Sequence, residues 1–383
     1  MIDFFNLDQH LSTEEKAIRS KVSGFVSKEV MPIIADCFET QRFPVELATE
    51  FGKLGTLGST IQGYGCAGLN YTSYGLIMQE IERADSGLRS FVSVQGALCM
   101  FPISAYASED LKKKYLPEMA AGKLIGCFGL TEPDFGSNPS GMMTNVRKEG
   151  DKYILNGHKR WLTNGSVAGL AIVWAKDENG KVCGFIVDRN LPGITVNSLE
   201  KRLSLRASAS SEYIFKDVPV PATHKLNVEG LKGPFSCLNN ARFGISWGVL
   251  GAADACYQIA LNYTKNRGQF EKPLASHQLV QAKLVEMFTE ITLGQMLAYH
   301  LARLKDQNQA TPEQISMAKM NNVSKALKIA RTSRDMLGAN GILGDHHVAR
   351  HMLNLESVNT YEGTEDIHRL VLGQHITGIP AFR

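Results

Sequence analysis

The period of the hydrophobic pattern changes twice along this chain, and that constrains its fold more than any single motif. In the first third, apolar residues recur at helical spacing. Ser12 and Glu15 make a capping-box pattern, and Ile18, Val22, Phe25, Val26 and Val30 follow until Pro32 stops the run. Further helices are predicted at 44–54, 74–84 and 110–120, with Asn70, Tyr71 and Thr72 as loop. From about Ile125 short β-rich runs take over, at 153–155, 170–174, 183–187 and 212–215. The pairs Asn156-Gly157, Asn164-Gly165 and Asn179-Gly180 punctuate them as hairpin turns. After about Gly230 the helical period returns. Thr311, Pro312 and Gln314 supply a cap, a first-turn proline and a capping-box partner for a helix running through Val323 and Leu327 to Leu337. The pattern predicts an α+β multidomain chain: a helical domain over 1–124, a β domain over 125–229 built as a small sandwich or barrel, and a helical domain over 230–383.

Composition narrows the function classes. At 383 residues, 44% hydrophobic, the chain can bury a core for two or three packed units. Lys and Arg number 41 against 38 Asp and Glu, and a formal charge of +3 gives no field for nucleic acid. Seven scattered cysteines without a C-x-x-C pair argue against a disulfide frame or zinc site and fit a reducing compartment. Residues 1–10 lack the basic patch and apolar run of a secretory leader, and no later stretch reads as long enough to span a membrane. These features predict a soluble cytoplasmic chain, or a mitochondrial matrix one if a transit peptide has been removed.

Several motifs have a bland explanation. Gly63-Tyr64-Gly65-Cys66-Ala67-Gly68 matches G-x-G-x-x-G, but its surroundings are helical, so a tight loop is preferred to a dinucleotide fingerprint. His347 and His351 are four apart beside His346 without an H-E-x-x-H pattern, and read as polar helix-end histidines; no metal is expected. No G-x-S-x-G elbow occurs. The stretch Gly129 to Ser137 offers hydroxyls and backbone N–H groups to a flavin edge or pyrophosphate, or is an ordinary turn. Trp161 is either a core residue or a ring beside a flavin, and Gly338 to Gly341 is explained by a helix C-cap. The most pointed segment is Asn359 to Ile367. There Glu362, beside a glycine and ahead of a helix, can reach into a cleft where backbone N–H groups polarise a carbonyl, or can be a surface residue.

Taken together, Asp85-Ser86-Gly87-Leu88-Arg89-Ser90, Leu130-Thr131-Glu132-Pro133, Trp161-Leu162-Thr163, the run from Gly233 to Arg242, and Tyr361-Glu362-Gly363-Thr364 resemble the acyl-CoA dehydrogenase family, closely its glutaryl-CoA dehydrogenase branch. The resemblance covers nearly the whole chain. It implies the family's three-part architecture, ending in a four-helix bundle, with FAD at subunit contacts in a homotetramer that is a dimer of dimers. Phe128, Leu130, Thr131, Gly136, Ser137, Trp161, Leu162, Thr163 and Thr364 would then line the cofactor, and Arg267, Phe270, Gln278, Asp335, Met336, Leu337, Gly338, Ala339 and Gly341 would reach it across a subunit contact. Ser137, Phe235, Leu238, Asn239 and Arg242 would hold the coenzyme A chain. Arg89 and Ser93, with Ser90 nearby, would meet a distal substrate carboxylate, in the bidentate manner open to arginine but not lysine. Arg89 as a structural ion-pair partner is the alternative. Asn138, where the family more often has aspartate, and Leu88, often tyrosine in this branch, are departures.

The implied chemistry is α,β-dehydrogenation of an acyl-CoA with Glu362 as base, its pKa raised by burial and the thioester oxygen bonded by the Glu362 N–H and a flavin ribityl hydroxyl. With glutaryl-CoA, loss of CO2 would give crotonyl-CoA, favoured by Tyr361 and Glu82 near the carboxylate, with Gly363 also binding substrate. Electrons would pass to an electron-transferring flavoprotein, within lysine and tryptophan degradation. A short-chain acyl-CoA dehydrogenase, a non-decarboxylating glutaryl-CoA dehydrogenase and an acyl-CoA oxidase are the nearest alternatives. A catalytically silent DNA-binding flavoprotein is the remote one. Neither a nucleic acid nor a membrane is expected as partner.

Overall fold

The computed structural model describes residues 2–381. Seven helices come first: α1 (Thr13–Phe25), α2 (Met31–Glu39), α3 (Leu47–Lys53), α4 (Tyr71–Ala84), α5 (Ser86–Ser93), α6 (Phe101–Tyr106) and α7 (Glu109–Ala120). Both halves of the Ser12 capping box form: the Ser12 N–H donates to Glu15 Oε2 at 2.8 Å and the Glu15 N–H to Ser12 Oγ at 3.2 Å. Asn70 is not loop but the cap of α4, accepting from the Ser73 N–H at 2.8 Å, so Tyr71 and Thr72 are already helical.

Pro32 does not stop the first helical run. A π-turn at Val26–Val30, in which the Met31 N–H donates to the Val26 carbonyl, links α1 to α2. A proline ring normally collides with the carbonyl four residues back, and the widened turn removes that collision. The same device recurs where the Phe101 N–H donates to the Gly96 carbonyl just before Pro102. The resulting continuous helix Ser86–Tyr106 has 21 residues, membrane-spanning length after all, and its most apolar 18-residue window has a mean hydropathy of 1.2, but 78% of that window is buried inside the protein. It is the central helix of the N-terminal core, as the surrounding helices demand.

The middle region has strands β1 (Gly126–Gly129), β2 (Asn145–Glu149), β3 (Lys152–Leu162), β4 (Leu170–Lys176), β5 (Val182–Asp188), β6 (Ile194–Ser198), β7 (Ser211–Pro221) and β8 (Lys225–Glu229). They hydrogen-bond in the order β6-β7-β3-β2-β4-β5-β8, with β1 parallel to β4. The strands β2 and β4 meet only at Asn145 and Lys176, so two half-sheets join there and share one core containing Val146, Leu155, Val173, Phe185 and Tyr213. Strand β4 is buried on both faces. Ala171, Val173 and Ala175 face that core while Leu170, Ile172 and Trp174 join the N-terminal helical core, which explains a continuous apolar run. Asn179-Gly180 turns between β4 and β5, with Gly180 at φ 76°. Asn156-Gly157 does not turn: it lies inside β3 at a break in register with β7. A Cβ on Gly157, at φ 150°, would fall 2.3 Å from Thr144 Oγ1, so close strand approach, not a hairpin, requires the glycine.

Then follow α8 (Lys232–Asn266), a short hairpin of β9 (Gly268–Gln269) and β10 (Lys272–Pro273), α9 (Gln278–Asp306), α10 (Pro312–Met336), α11 (Val348–Thr360) and α12 (Glu365–Thr377). Helices α8 to α11 share one apolar core, and α12 is a fifth helix packed on α10. The predicted helix, sheet, helix architecture is the one observed, including the capping box at Thr311. The glycine segment 63–68 is a loop between α3 and α4 with no strand before it. All seven cysteines are free. His347 caps α11 and meets Arg350 at 2.8 Å, but His351 is no helix-end surface residue, being buried one turn in.

Candidate active site

Glu362 occupies the turn between α11 and α12 at φ 52°, followed by Gly363 at φ 97°. A left-handed glutamate costs roughly 1–2 kcal/mol, so something must hold it. From α8, Arg242 Nε donates to the Glu362 carbonyl at 2.7 Å. From α10, the fully buried Lys319 donates to the carbonyls of Tyr361 at 3.1 Å and Gly363 at 2.8 Å. Three successive carbonyls are thus taken by two cations. The Glu362 N–H has no hydrogen-bond partner among the described residues. Its side chain is not the surface carboxylate that composition favours: the residue is half-buried, and Oε2 is enclosed and unpartnered. Burial raises the Glu362 carboxyl above the ordinary range, and Arg89, Arg242 and Lys319 oppose that without cancelling it. Burial also lowers the Lys319 ammonium to about 7, against the pull of Glu362. His368 is buried beside the turn with neither ring nitrogen bonded, and burial lowers it to about 3, so the ring is neutral.

Facing this turn is a polar cluster inside the N-terminal helices. Arg89 on α5 pairs with Glu82 on α4 at 2.6 Å, both side chains wholly inaccessible to solvent, and also donates to the Tyr361 hydroxyl. Ser90 Oγ lies 3.1 Å from the same hydroxyl. Burial works against the Arg89 charge, but Glu82, Tyr361 and Glu362 outweigh it and keep the guanidinium protonated. Burial pushes the Tyr361 phenol up to about 12. Arg89 Nη1, Glu82 Oε1 and Ser93 Oγ make no hydrogen bond. Buried polar atoms are rarely left so; the free Nη1 of the protonated Arg89 and the Ser93 hydroxyl can both donate to a ligand carboxylate, whereas Glu82 Oε1 is an acceptor.

The loop after β1 is fixed from below. Glu132 accepts from the N–H groups of Met143 at 2.7 Å and Thr144 at 2.9 Å, and Lys159 on β3 bridges Glu132 at 2.8 Å to the Leu130 carbonyl at 2.9 Å. Burial lowers Lys159 to about 8 despite Glu132. Above this pair, Thr131 and Thr163 are half-buried, Gly136 and Ser137 are exposed, and Trp161 is 58% exposed at φ 64°, so Trp161 is not a core residue. An exposed indole among hydroxyls and free loop N–H groups suits a flat aromatic ligand with a phosphate tail. Phe128 is half-buried against Trp174, and Thr364 is taken up in capping α12. Along α8, Phe235 is 38% exposed, and Leu238 and Asn239 are half-buried beside Arg242.

The predicted cofactor-lining residues differ in exposure. Leu130, Leu162, Met336 and Leu337 turn their side chains into hydrophobic cores, because they alternate with or end apolar faces, so their backbone is the part left to meet a ligand. Arg267, Phe270, Gln278, Asp335, Gly338 and Ala339 are exposed, with Phe270 at 86%, and Gly341 is buried near them. They form a second surface where α8 and α10 end and α9 begins, tied by Lys283 to Asp335 at 2.7 Å and Asn340 to Tyr263 at 2.9 Å. Among the described residues, no hydrogen bond joins it to the 130–137 loop or to Glu362. Sequence reasoning missed Lys319, Lys159 and His368. For Lys319 a signal existed, since it falls on the face of α10 that carries Ile315, Asn322 and Val323.

Comparison with known proteins adds an independent line. Family models described as acyl-CoA dehydrogenase N-terminal, middle and C-terminal domains match residues 12–123, 127–218 and 229–377. The chain is 50% identical to a solved glutaryl-CoA dehydrogenase from Mycobacterium smegmatis in complex with FADH2, covering 99% of this chain and 98% of that one at a TM-score of 0.97. It is 30% identical to the butyryl-CoA dehydrogenase of Megasphaera elsdenii, covering 98% and 100% at a TM-score of 0.92. A curated acyl-CoA dehydrogenase of Bacillus subtilis (strain 168) is 34% identical over 376 residues, 96% of this chain and 99% of its own length.

Proposed function

This chain belongs to the acyl-CoA dehydrogenase family, and from that premise we propose that it oxidises glutaryl-CoA with loss of CO2, Glu362 serving as the base. The coarser activity, acyl-CoA dehydrogenation with FAD as cofactor, is that of the family and its flavin-bound relative. FAD when bound supplies the acceptor for a hydride from the substrate's β-carbon, and Thr131, Ser137, Trp161 and Thr163 are the residues that would hold it.

The observation that carries the proposal is the enclosed, unpartnered Oε2 of Glu362, in a turn whose own N–H is free. A thioester α-proton is a weak acid, and each pKa unit of mismatch with the base costs about 1.36 kcal/mol. Burial narrows the mismatch by raising Glu362. The Glu362 N–H narrows it again by donating to the thioester oxygen as negative charge develops there. Arg89 Nη1 and Ser93 Oγ take the distal carboxylate. After desaturation, that carboxylate leaves as CO2, its bonding electrons pass into the conjugated thioester, and protonated Glu362 returns the proton to the γ-carbon to give crotonyl-CoA. Electrons leave to an electron-transferring flavoprotein. The surface around Phe270 and Gly338 completes the cofactor site of a neighbouring subunit in a homotetramer.

A second reading has its own support: Arg89 is already paired by Glu82 and Tyr361, as a structural ion pair would be. The substrate would then be a short unbranched acyl-CoA. Incubation with glutaryl-CoA and an artificial acceptor decides. Crotonyl-CoA and CO2 support the first reading, glutaconyl-CoA removes decarboxylation from it, and turnover of butyryl-CoA alone selects the second.

A further inference from the structure

Lys319 has no carboxylate within ion-pair distance among the described residues. Its side chain is fully buried on α10, it forms no ion pair among the described residues, and its bonds go to the Tyr361 and Gly363 carbonyls alone. Taking an ammonium out of water without a close counter-charge costs several kcal/mol, whereas methionine would fill such a site without that penalty. What the ammonium does to the turn follows from peptide geometry. In a trans peptide unit, the carbonyl of one residue and the N–H of the next point in opposite directions. The Tyr361 carbonyl and the Glu362 N–H belong to one such unit, so a grip on the carbonyl from α10 aims that N–H away from α10. The second grip, on the Gly363 carbonyl, fixes the far side of Glu362. Between them the left-handed conformation of Glu362 is held from both flanks, with Arg242 on the carbonyl in the middle.

We propose that Lys319 is a positioning residue: its two hydrogen bonds aim the Glu362 N–H at the thioester oxygen and hold the Glu362 carboxylate at the α-carbon. This rests on the reading of Glu362 as base. The burial that weakens the Lys319 charge also leaves its N–H donors in place, so the grip persists in either protonation state.

The test compares the FAD-loaded parent with Lys319→Met and Lys319→Gln, the latter keeping N–H donors. Steady-state kinetics with butyryl-CoA and glutaryl-CoA, per bound flavin, are paired with amide hydrogen exchange of the 359–366 segment. Lys319→Met should lower kcat by about 100-fold, the scale of a lost oxyanion donor, with KM and flavin content changed less than about threefold. Amide exchange in 359–366 should quicken while that of α10 does not. Lys319→Gln should recover about tenfold of the lost kcat. A kcat of Lys319→Met within about threefold of the parent, or a loss confined to KM, overturns the proposal. If Lys319→Met fails to fold, the flavin-loaded Lys319→Gln decides by the same two readouts, and failure of both to fold overturns the proposal by making Lys319 a folding determinant. A parent that oxidises no acyl-CoA would instead refute the assigned function, while unchanged variants of an active parent refute only the role of Lys319.

Discussion

Arg89 and Glu82 face each other from consecutive helices at 2.6 Å, and solvent reaches neither side chain. Deleting one partner strands the other, so Arg89→Ala should destabilise the protein by about 3–5 kcal/mol, read by denaturant unfolding. If Arg89 also meets substrate, kcat/KM for glutaryl-CoA should fall at least tenfold more than for butyryl-CoA, on the scale of one lost charge-assisted bond, about 1.5–3 kcal/mol. Equal losses on the two substrates would leave the arginine a purely structural role.

Glu362→Gln keeps the size of the side chain and removes its basicity. Exchange of the α-proton of bound butyryl-CoA, followed by deuterium incorporation, should slow by about 10²–10⁴-fold with flavin retained. Full exchange in that variant would remove Glu362 from the chemistry.

The raised carboxyl of Glu362 also affects stability, with a definite sign. Between the ordinary glutamate value of 4.5 and its higher folded value, the native state holds more protons than the unfolded chain. Stability contributed by this group therefore falls as pH rises through that window, and the deficit persists above it. Glu362→Gln lacks the deficit, so its Tm should exceed the parent's at about pH 8 and the gain should shrink toward about pH 4. Over the same window kcat/KM of the parent should rise with pH, because only the ionised carboxylate accepts a proton.

Lys159 depends on Glu132 in the same way that Glu82 depends on Arg89. Glu132→Ala removes the partner and two acceptors for loop N–H groups at once, and should cost about 3–5 kcal/mol together with most of the bound flavin. Thermal melts and the flavin-to-protein absorbance ratio would check it; a stable variant with full flavin would show that the loop is held by other means.

Much of this was legible beforehand. The two changes of period marked the helical and sheet regions because each rests on local burial, and the caps at Ser12 and Thr311 formed as written. What escaped notice was non-local. Pro32 is tolerated because a widened turn upstream relieves its clash, which no local pattern announces. Gly157 looks like a turn residue in sequence because the atom that demands it, Thr144 Oγ1, comes from another segment. Leu162 is buried because it alternates in β3 with Trp161, which points outward. Glu362 stands out by its setting next to Gly363, and Lys319 by its place on the buried face of α10, but that the face meets the 361–363 turn is visible only in the packing.

Strand β4 bears on how this protein can be divided. Three stretches of the chain are recognisable as separate matches, yet Ile172 and Trp174 find their cover in helices from a different stretch. Excising 127–218 would leave one side of the central strand as a bare aliphatic stripe, inviting self-association instead of a soluble fragment. The parts can be told apart on paper, but β4 lends its side chains to both, and mutations along it should weaken the helical half as much as the sheet.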